Sequence, residues 1–178
     1  MVAGIAFEQV VTPEHRETAS ILIREYLNWL NDHLIRNYGM SFDAEAMVDS
    51  DLADANKFHP PHGRFYLVRY EGHVAGVGCL RKLEASVGEV QRMYVRPAFR
   101  GKGIGLAVAN RLIEDARAIG YRRLRLESLE FLEAAHSLYR SLGFRDIEPY
   151  EHNAMEAYQS HRQLEDYYRI TVFMEKDL

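Results

Sequence analysis

The sequence is poor in several things, and each shortage excludes something. There is one cysteine in 178 residues, Cys79, so no internal disulfide can form and no thiolate pair is available to a metal, as expected of a reducing compartment. A small buried core residue is its plainer reading, and a reactive thiol the alternative. No apolar run approaches the roughly 18 residues of a membrane span. Met1 to Val10 shows no basic stretch leading into an apolar one, so no membrane association is expected and the expected location is cytoplasmic. Repeats, low-complexity tracts and Gly/Ser linkers are missing too, which leaves one continuous domain over residues 1–178 as the expected organisation.

What is present is the composition of an ordinary globular chain, 47% hydrophobic and 27% charged, long enough to bury a substantial core. The net charge of −4 hides an uneven distribution. Residues 1–58 hold 4 basic and 10 acidic side chains, residues 59–125 hold 13 and 5, and residues 126–178 hold 5 and 11. A basic middle therefore lies between two acidic flanks. Such a block suits nucleic acid, a phosphate-rich ligand or a merely solvated face, and so ranks functions without choosing one.

Gly4 to Val10 alternates apolar and polar residues as a strand does. Thr12 and Pro13 read as N-cap and first helical position, and the helix they open carries Leu22, Tyr26, Trp29, Leu30 and His33 on one stripe before Gly39. An acidic helix is expected over 43–55 and a loop over 59–63. Strands are expected over 64–70 and 74–83, joined through Glu71 and Gly72 as a hairpin, and over 88–95. A helix over 103–119, a strand over 121–128, a helix over 132–142, a short strand over 144–147 and a last strand within 168–175 complete a mixed α/β order. Its most telling unit is the crossover from strand 88–95 through a helix to strand 121–128, which should be parallel and right-handed.

Arg100-Gly101-Lys102-Gly103-Ile104-Gly105 falls where that crossover turns from strand to helix. Three glycines at alternate positions let the backbone approach a ligand closely, and the first helical amides lack internal acceptors. With the helix dipole and two cationic side chains, the segment suits a pyrophosphate. It is not a Walker A loop, which needs G-x-x-x-x-G-K-[ST], nor a dinucleotide fingerprint, which needs glycine where Leu106 stands. A glycine-rich turn that only starts a helix is the bland alternative.

The neighbouring residues carry a family resemblance. Val90 to Phe99, leading into the R-x-x-G-x-G of Arg100, Gly103 and Gly105, resembles motif A of the GNAT superfamily of acyl-CoA N-acyltransferases. Ala135 with Leu138 to Phe144 resembles that superfamily's A-x-x-L-Y-x-x-x-G-F segment, and Phe173-Met174-Glu175 is similar to its last strand. The resemblance implies a central mixed, mostly antiparallel sheet with a parallel crossover pair at the acyl-CoA site, flanked by helices. It implies acetyl-CoA as acyl donor, and transfer of the acetyl group to a primary amine of a small molecule by direct attack in a ternary complex. A protein or peptide acceptor and a non-catalytic acyl-CoA-binding sensor are the other readings. Nucleic acid is not an expected partner, because Arg100 and Lys102 already have a phosphate ligand in this reading.

Residue by residue, the resemblance puts Arg100, Gly101, Lys102, Gly103, Ile104 and Gly105 around the CoA pyrophosphate and Met93 and Val95 beside the pantetheine arm. It makes Tyr139 the acid that protonates the departing thiolate, for which a phenol of ordinary pKa about 10 has comparable basicity. Glu89 resembles the glutamate that takes a proton from the amine; an exposed strand-end charge is the alternative, and Glu127 and Glu133 are further candidates. Many members have an asparagine seven residues before the tyrosine, where this chain has Leu132. His59 and His62 have no third ligand at a recognisable spacing, so no metal is expected; His136 shares a helix with Tyr139. The acidic flanks correspond to the family's acceptor walls, and an acidic groove would favour a cationic amine. The alternative is that Asp43, Glu45, Asp49, Asp51 and Asp54 only solvate a surface helix. The connection over 148–169, with Met155, Tyr158, Arg162 and Tyr168 at near-helical spacing, is expected to cover the acceptor site as a lid or to form a subunit contact in a homodimer.

Overall fold

A computed structural model of the chain describes residues 4–54, 56–153, 155 and 161–178. Strand β1 (Ile5–Gln9) leads into helix α1 (Pro13–Tyr38). Thr12 Oγ1 accepts from the His15 N–H at the start of this helix, and Gly39 ends it at φ 63, where its own N–H returns to Ile35 O. Helix α2 (Ala44–Ala53) is capped by Asp43. Strands β2 (Arg64–Tyr70) and β3 (His73–Glu84) form the expected hairpin. Glu71 and Gly72 stand at φ 49 and 83, the two positive values that a two-residue turn needs to match strand twist.

Strand β4 (Val87–Val95), a 3-10 turn (Pro97–Phe99), helix α3 (Ile104–Ile119) and strand β5 (Arg123–Leu129) make the parallel crossover. Helix α4 (Glu133–Ser141), β6 (Arg145–Ile147), α5 (His161–Arg169) and β7 (Thr171–Asp177) follow. Two boundaries differ from the sequence reading for local reasons. Tyr121 closes α3 instead of opening β5, since its N–H bonds Ala116 O beside that of Gly120. Tyr168 belongs to α5, and the last strand starts only at Thr171.

The seven strands form one sheet in the order β1-β2-β3-β4-β5-β7-β6, antiparallel except for β4 and β5. Alternation along β2 sorts its side chains: Phe65 and Leu67 face the core under α1, α2 and α5, while Tyr66 and Val68 face the core under α3 and α4. Leu22, Ile23, Leu27 and Leu34 of α1 are at most 1% exposed, each contributing on the order of 2 kcal/mol of burial. Cys79 lies buried in this first core as a free thiol.

One irregularity shapes the site. The parallel pairing runs only from Val87↔Arg123 to Glu89↔Arg125. Beyond it the register of β4 on β3 slips between Gln91↔Cys79 and Tyr94↔Val77, and Arg92 within the slip sits at φ 51. This is a β-bulge, which bends the strand that carries it. The outer half of β4 stays on β3 while β5 stays on β7, and a wedge opens between β4 and β5.

Candidate active site

A cleft of about 520 Å³ occupies the wedge. Met93, Tyr94 and Val95 of β4 form one wall and Leu126 to Leu129 of β5 the other. Helix α1 contributes Tyr26 and Trp29, α4 contributes Tyr139, and the connection after β6 contributes Met155 and Tyr167. Past Glu89 the side of β4 that faces β5 has no strand partner among the described residues, which leaves its main-chain groups open to a ligand in the cleft.

At one end of the cleft the glycine-rich loop reaches the start of α3. Gly101 and Gly103 have φ of 76 and 75, a region in which a side chain costs about 1–3 kcal/mol. No side chain caps the helix at Gly103, and its first internal bond is Ala107 N–H to Gly103 O. The amides of Ile104, Gly105 and Leu106 therefore lack helical acceptors. Arg100 lies with its guanidinium 4.9 Å from the Trp29 ring centre and donates through Nε to Val95 O at 3.1 Å. Arg100, Gly101, Gly103, Ile104 and Gly105 all line the cleft, and this amide cradle fits a pyrophosphate. The Lys102 side chain turns aside, with Nζ 4.8 Å from the Tyr70 ring centre, so only the backbone of that residue stays with the loop.

Tyr139 is 7% exposed and stacks its ring edge near Phe144. Its hydroxyl donates to Met93 Sδ at 3.5 Å, across the wedge from α4 to β4. Burial, and then the neighbouring Tyr26 phenol, push its pKa above that of an ordinary tyrosine. Tyr26 is itself pushed up to about 12, chiefly by burial. Both phenols are therefore protonated throughout the neutral range.

Glu89 departs from its expected place. It is fully buried and lies outside the cleft wall. Arg81 Nε and Gln91 Nε2 donate to its Oε2 and the Tyr150 hydroxyl to its Oε1, so both oxygens are engaged by side chains the chain folds around it. It is neither an exposed strand-end charge nor a wall residue. The carboxylate on the β5 wall is Glu127, with Glu133 at the start of α4 also lining the cleft. His136 is buried beside Ser128, Nε2 to Oγ 3.1 Å, and lies outside the wall. Leu132 lines the cleft and packs against the core without capping α4.

The acidic helix does not make an acidic groove. Asp43, Glu45, Asp49 and Asp54 are exposed, whereas Asp51 is buried and ion-paired to both Arg92 and Lys57. Burial opposes the charge on Arg92, but Asp51 more than offsets it and the guanidinium is held above its ordinary pKa. Arg92 lines the cleft. Sequence reading gave it no role because simple strand alternation sets it opposite Gln91 and Met93, and only the bulge turns it. Tyr26 was legible only as a member of the α1 stripe, and Tyr167 carried no signal of its own in the sequence. Of the connection over 148–169, Tyr158 lies outside the described residues, while Asn153 Nδ2 donates to the Tyr168 hydroxyl at 2.8 Å.

No helix among the described residues is long and apolar enough to cross a membrane. The acetyltransferase (GNAT) family matches residues 23–144. An uncharacterised N-acetyltransferase of Schizosaccharomyces pombe is 32% identical over 155 residues, 85% of this chain and 89% of that protein. An IAA acetyltransferase of Azospirillum brasilense is 35% identical over 122 residues, 68% of this chain and 78% of its own. In fold, the chain is similar to the PaiA N-acetyltransferase of Thermoplasma acidophilum, solved in complex with coenzyme A, with a TM-score of 0.67 at 16% identity over 98% of this chain and 99% of that one. The wedge, the uncapped amide loop and these likenesses agree, and the chain belongs to the GNAT family of acyl-CoA N-acetyltransferases.

Proposed function

We propose that the protein moves an acetyl group from acetyl-CoA to the primary amine of a small molecule by direct attack in a ternary complex. The observation that carries the reading is the Tyr139 hydroxyl resting on Met93 Sδ in the wedge. A thioether is a weak acceptor, so the hydroxyl is free to turn to a better one, such as a thiolate beside Met93. Acetyl-CoA supplies an activated acyl carbon and a thiol leaving group. The amides of Ile104, Gly105 and Leu106 hold its pyrophosphate, with Arg100 adding charge. Main chain from Met93 to Val95, free of β5, pairs with the pantetheine arm and polarises the thioester carbonyl.

Glu127 takes the role that the family resemblance suggested for Glu89, because it is the β5 carboxylate that lines the cleft. The N–C bond forms as the C–S bond breaks; Tyr139 gives its proton to the sulfur, and Glu127 accepts the one the amine loses. Met155 and Tyr167 on the cleft wall support a covered site that suits a small acceptor over a peptide. A panel of amines assayed for free-thiol release from acetyl-CoA tests the reading. Release that depends on an amine supports it. Coenzyme A binding with no release for any amine or peptide would leave the protein a non-catalytic acyl-CoA sensor.

A further inference from the structure

Asp51 is a buried carboxylate serving two cations. Lys57 Nζ donates to its Oδ1 and Arg92 Nε to its Oδ2, each at 2.5 Å. The cluster thus holds one positive charge in excess, and the Arg92 and Lys57 side chains are only 7% and 17% exposed. Buried charge without a partner is costly. Arg92 Nη2 is buried with no hydrogen-bond partner among the described residues, yet the residue lines the cleft. Buried donors are nearly always satisfied, and a group that enters the cleft beside Arg92 can supply the acceptor that the described residues do not.

The surroundings say what kind of acceptor group. Arg92, Glu127, Tyr26 and Tyr167 all line the cleft, so a cation and a carboxylate share it with two phenols. One excess charge suits a monoanion, and Glu127 on the facing wall opposes a dianion such as a phosphate monoester. The same carboxylate suits an amine or ammonium group.

We propose that Arg92 binds a carboxylate on the acceptor, so that the protein acetylates an amino-carboxylate, its carboxylate on Arg92 Nη2 and its amine toward Glu127. This rests on the acetyl-transfer reading for the amine, but the anchor itself does not need turnover. Asp51 holds the guanidinium in place from below, and the bulge at Arg92 turns it into the wedge.

Two arms test the proposal on the full chain. In the first, glycine, serine, threonine, methionine and glutamate are compared with their α-carboxamides as acceptors. The acids are expected to exceed the amides by about tenfold or more in kcat/KM, the scale of a charge-assisted hydrogen bond, with the difference in KM. Arg92→Gln should erase that preference and Arg92→Lys should keep part of it. In the second arm, the N-acetylated acids and amides are titrated calorimetrically into protein saturated with coenzyme A. If thiol release fails but the acids bind more tightly, the anchor stands and the enzyme reading falls. If transfer occurs but no acid is preferred over its amide in either arm, the anchor is wrong and the enzyme reading survives. The wild-type preference decides even if Arg92→Gln does not fold. A preference that a folded Arg92→Gln retains in full also overturns the proposal.

Discussion

The Tyr150 hydroxyl donates to Glu89 Oε1 at 2.7 Å, tying the chain after β6 to the interior of β4. Arg81 reinforces the tie, since it donates through Nε to Glu89 and through Nη2 to His152 O. Tyr150→Phe removes one donor from a buried charged group and should cost about 1–3 kcal/mol, read as a lower denaturant midpoint with transfer near the wild-type rate.

Glu89→Gln separates the base hypothesis from the structural one. It strands the largely buried Arg81 guanidinium, and we expect a loss of stability on the order of 3 kcal/mol, with kcat retained in the folded fraction. A stable Glu89→Gln whose turnover falls by about a hundredfold or more would restore Glu89 to the mechanism and remove Glu127 from it.

Tyr139→Phe leaves the ring in its core beside Phe144 and takes away only the proton. Turnover should fall by about a hundredfold or more, while calorimetry finds coenzyme A affinity unchanged. An unaltered kcat with a verified amine would show that solvent protonates the thiolate.

The pH dependence follows from burial. Tyr26, Tyr139, Tyr150 and Tyr167 all have pKa values raised above an ordinary phenol, each chiefly by desolvation. A raised pKa keeps the acid form, so kcat should show no alkaline loss through about pH 9, below the ordinary phenol value near 10. For stability, the folded chain holds these protons more tightly than the unfolded one. Their contribution is complete below about pH 10 and is lost as pH climbs from there through the folded values. A melting temperature that falls steeply before about pH 9 would contradict this assignment.

Gly103→Val forces a β-branched residue to φ 75 at the head of α3 and crowds the amide cradle. The KM for acetyl-CoA should rise about tenfold or more, and stability should drop by about 1–3 kcal/mol. Coenzyme A affinity measured by calorimetry distinguishes a damaged cradle from slowed chemistry.

Much of the fold is written locally. Thr12 before Pro13, Gly39 and Gly120 after apolar stripes, and Glu71-Gly72 between alternating runs state their conformations through caps and turns that span a few residues. The amide cradle from Arg100 to Gly105 belongs to the same class, because a glycine-spaced helix start needs nothing distant to form. Tyr139 came from the likeness of Leu138 to Phe144 to a GNAT segment, and the structure sets its hydroxyl against Met93 Sδ.

What the sequence by itself determined, then, is the order of elements and the glycine-spaced, uncapped start of α3. The tertiary structure alone decided which carboxylates are available. Glu89 is bonded by Tyr150, 61 positions away, and Asp51 turns inward from the acidic helix to meet Arg92, 41 positions away. The wedge was decided there too. The outer part of β4 follows β3 and β5 follows β7, and a strand's choice between neighbours depends on pairings between distant segments that no local pattern encodes. The bulge that turns Arg92 into the cleft arises from that pairing, which is why its charge became a candidate ligand only once the sheet was assembled.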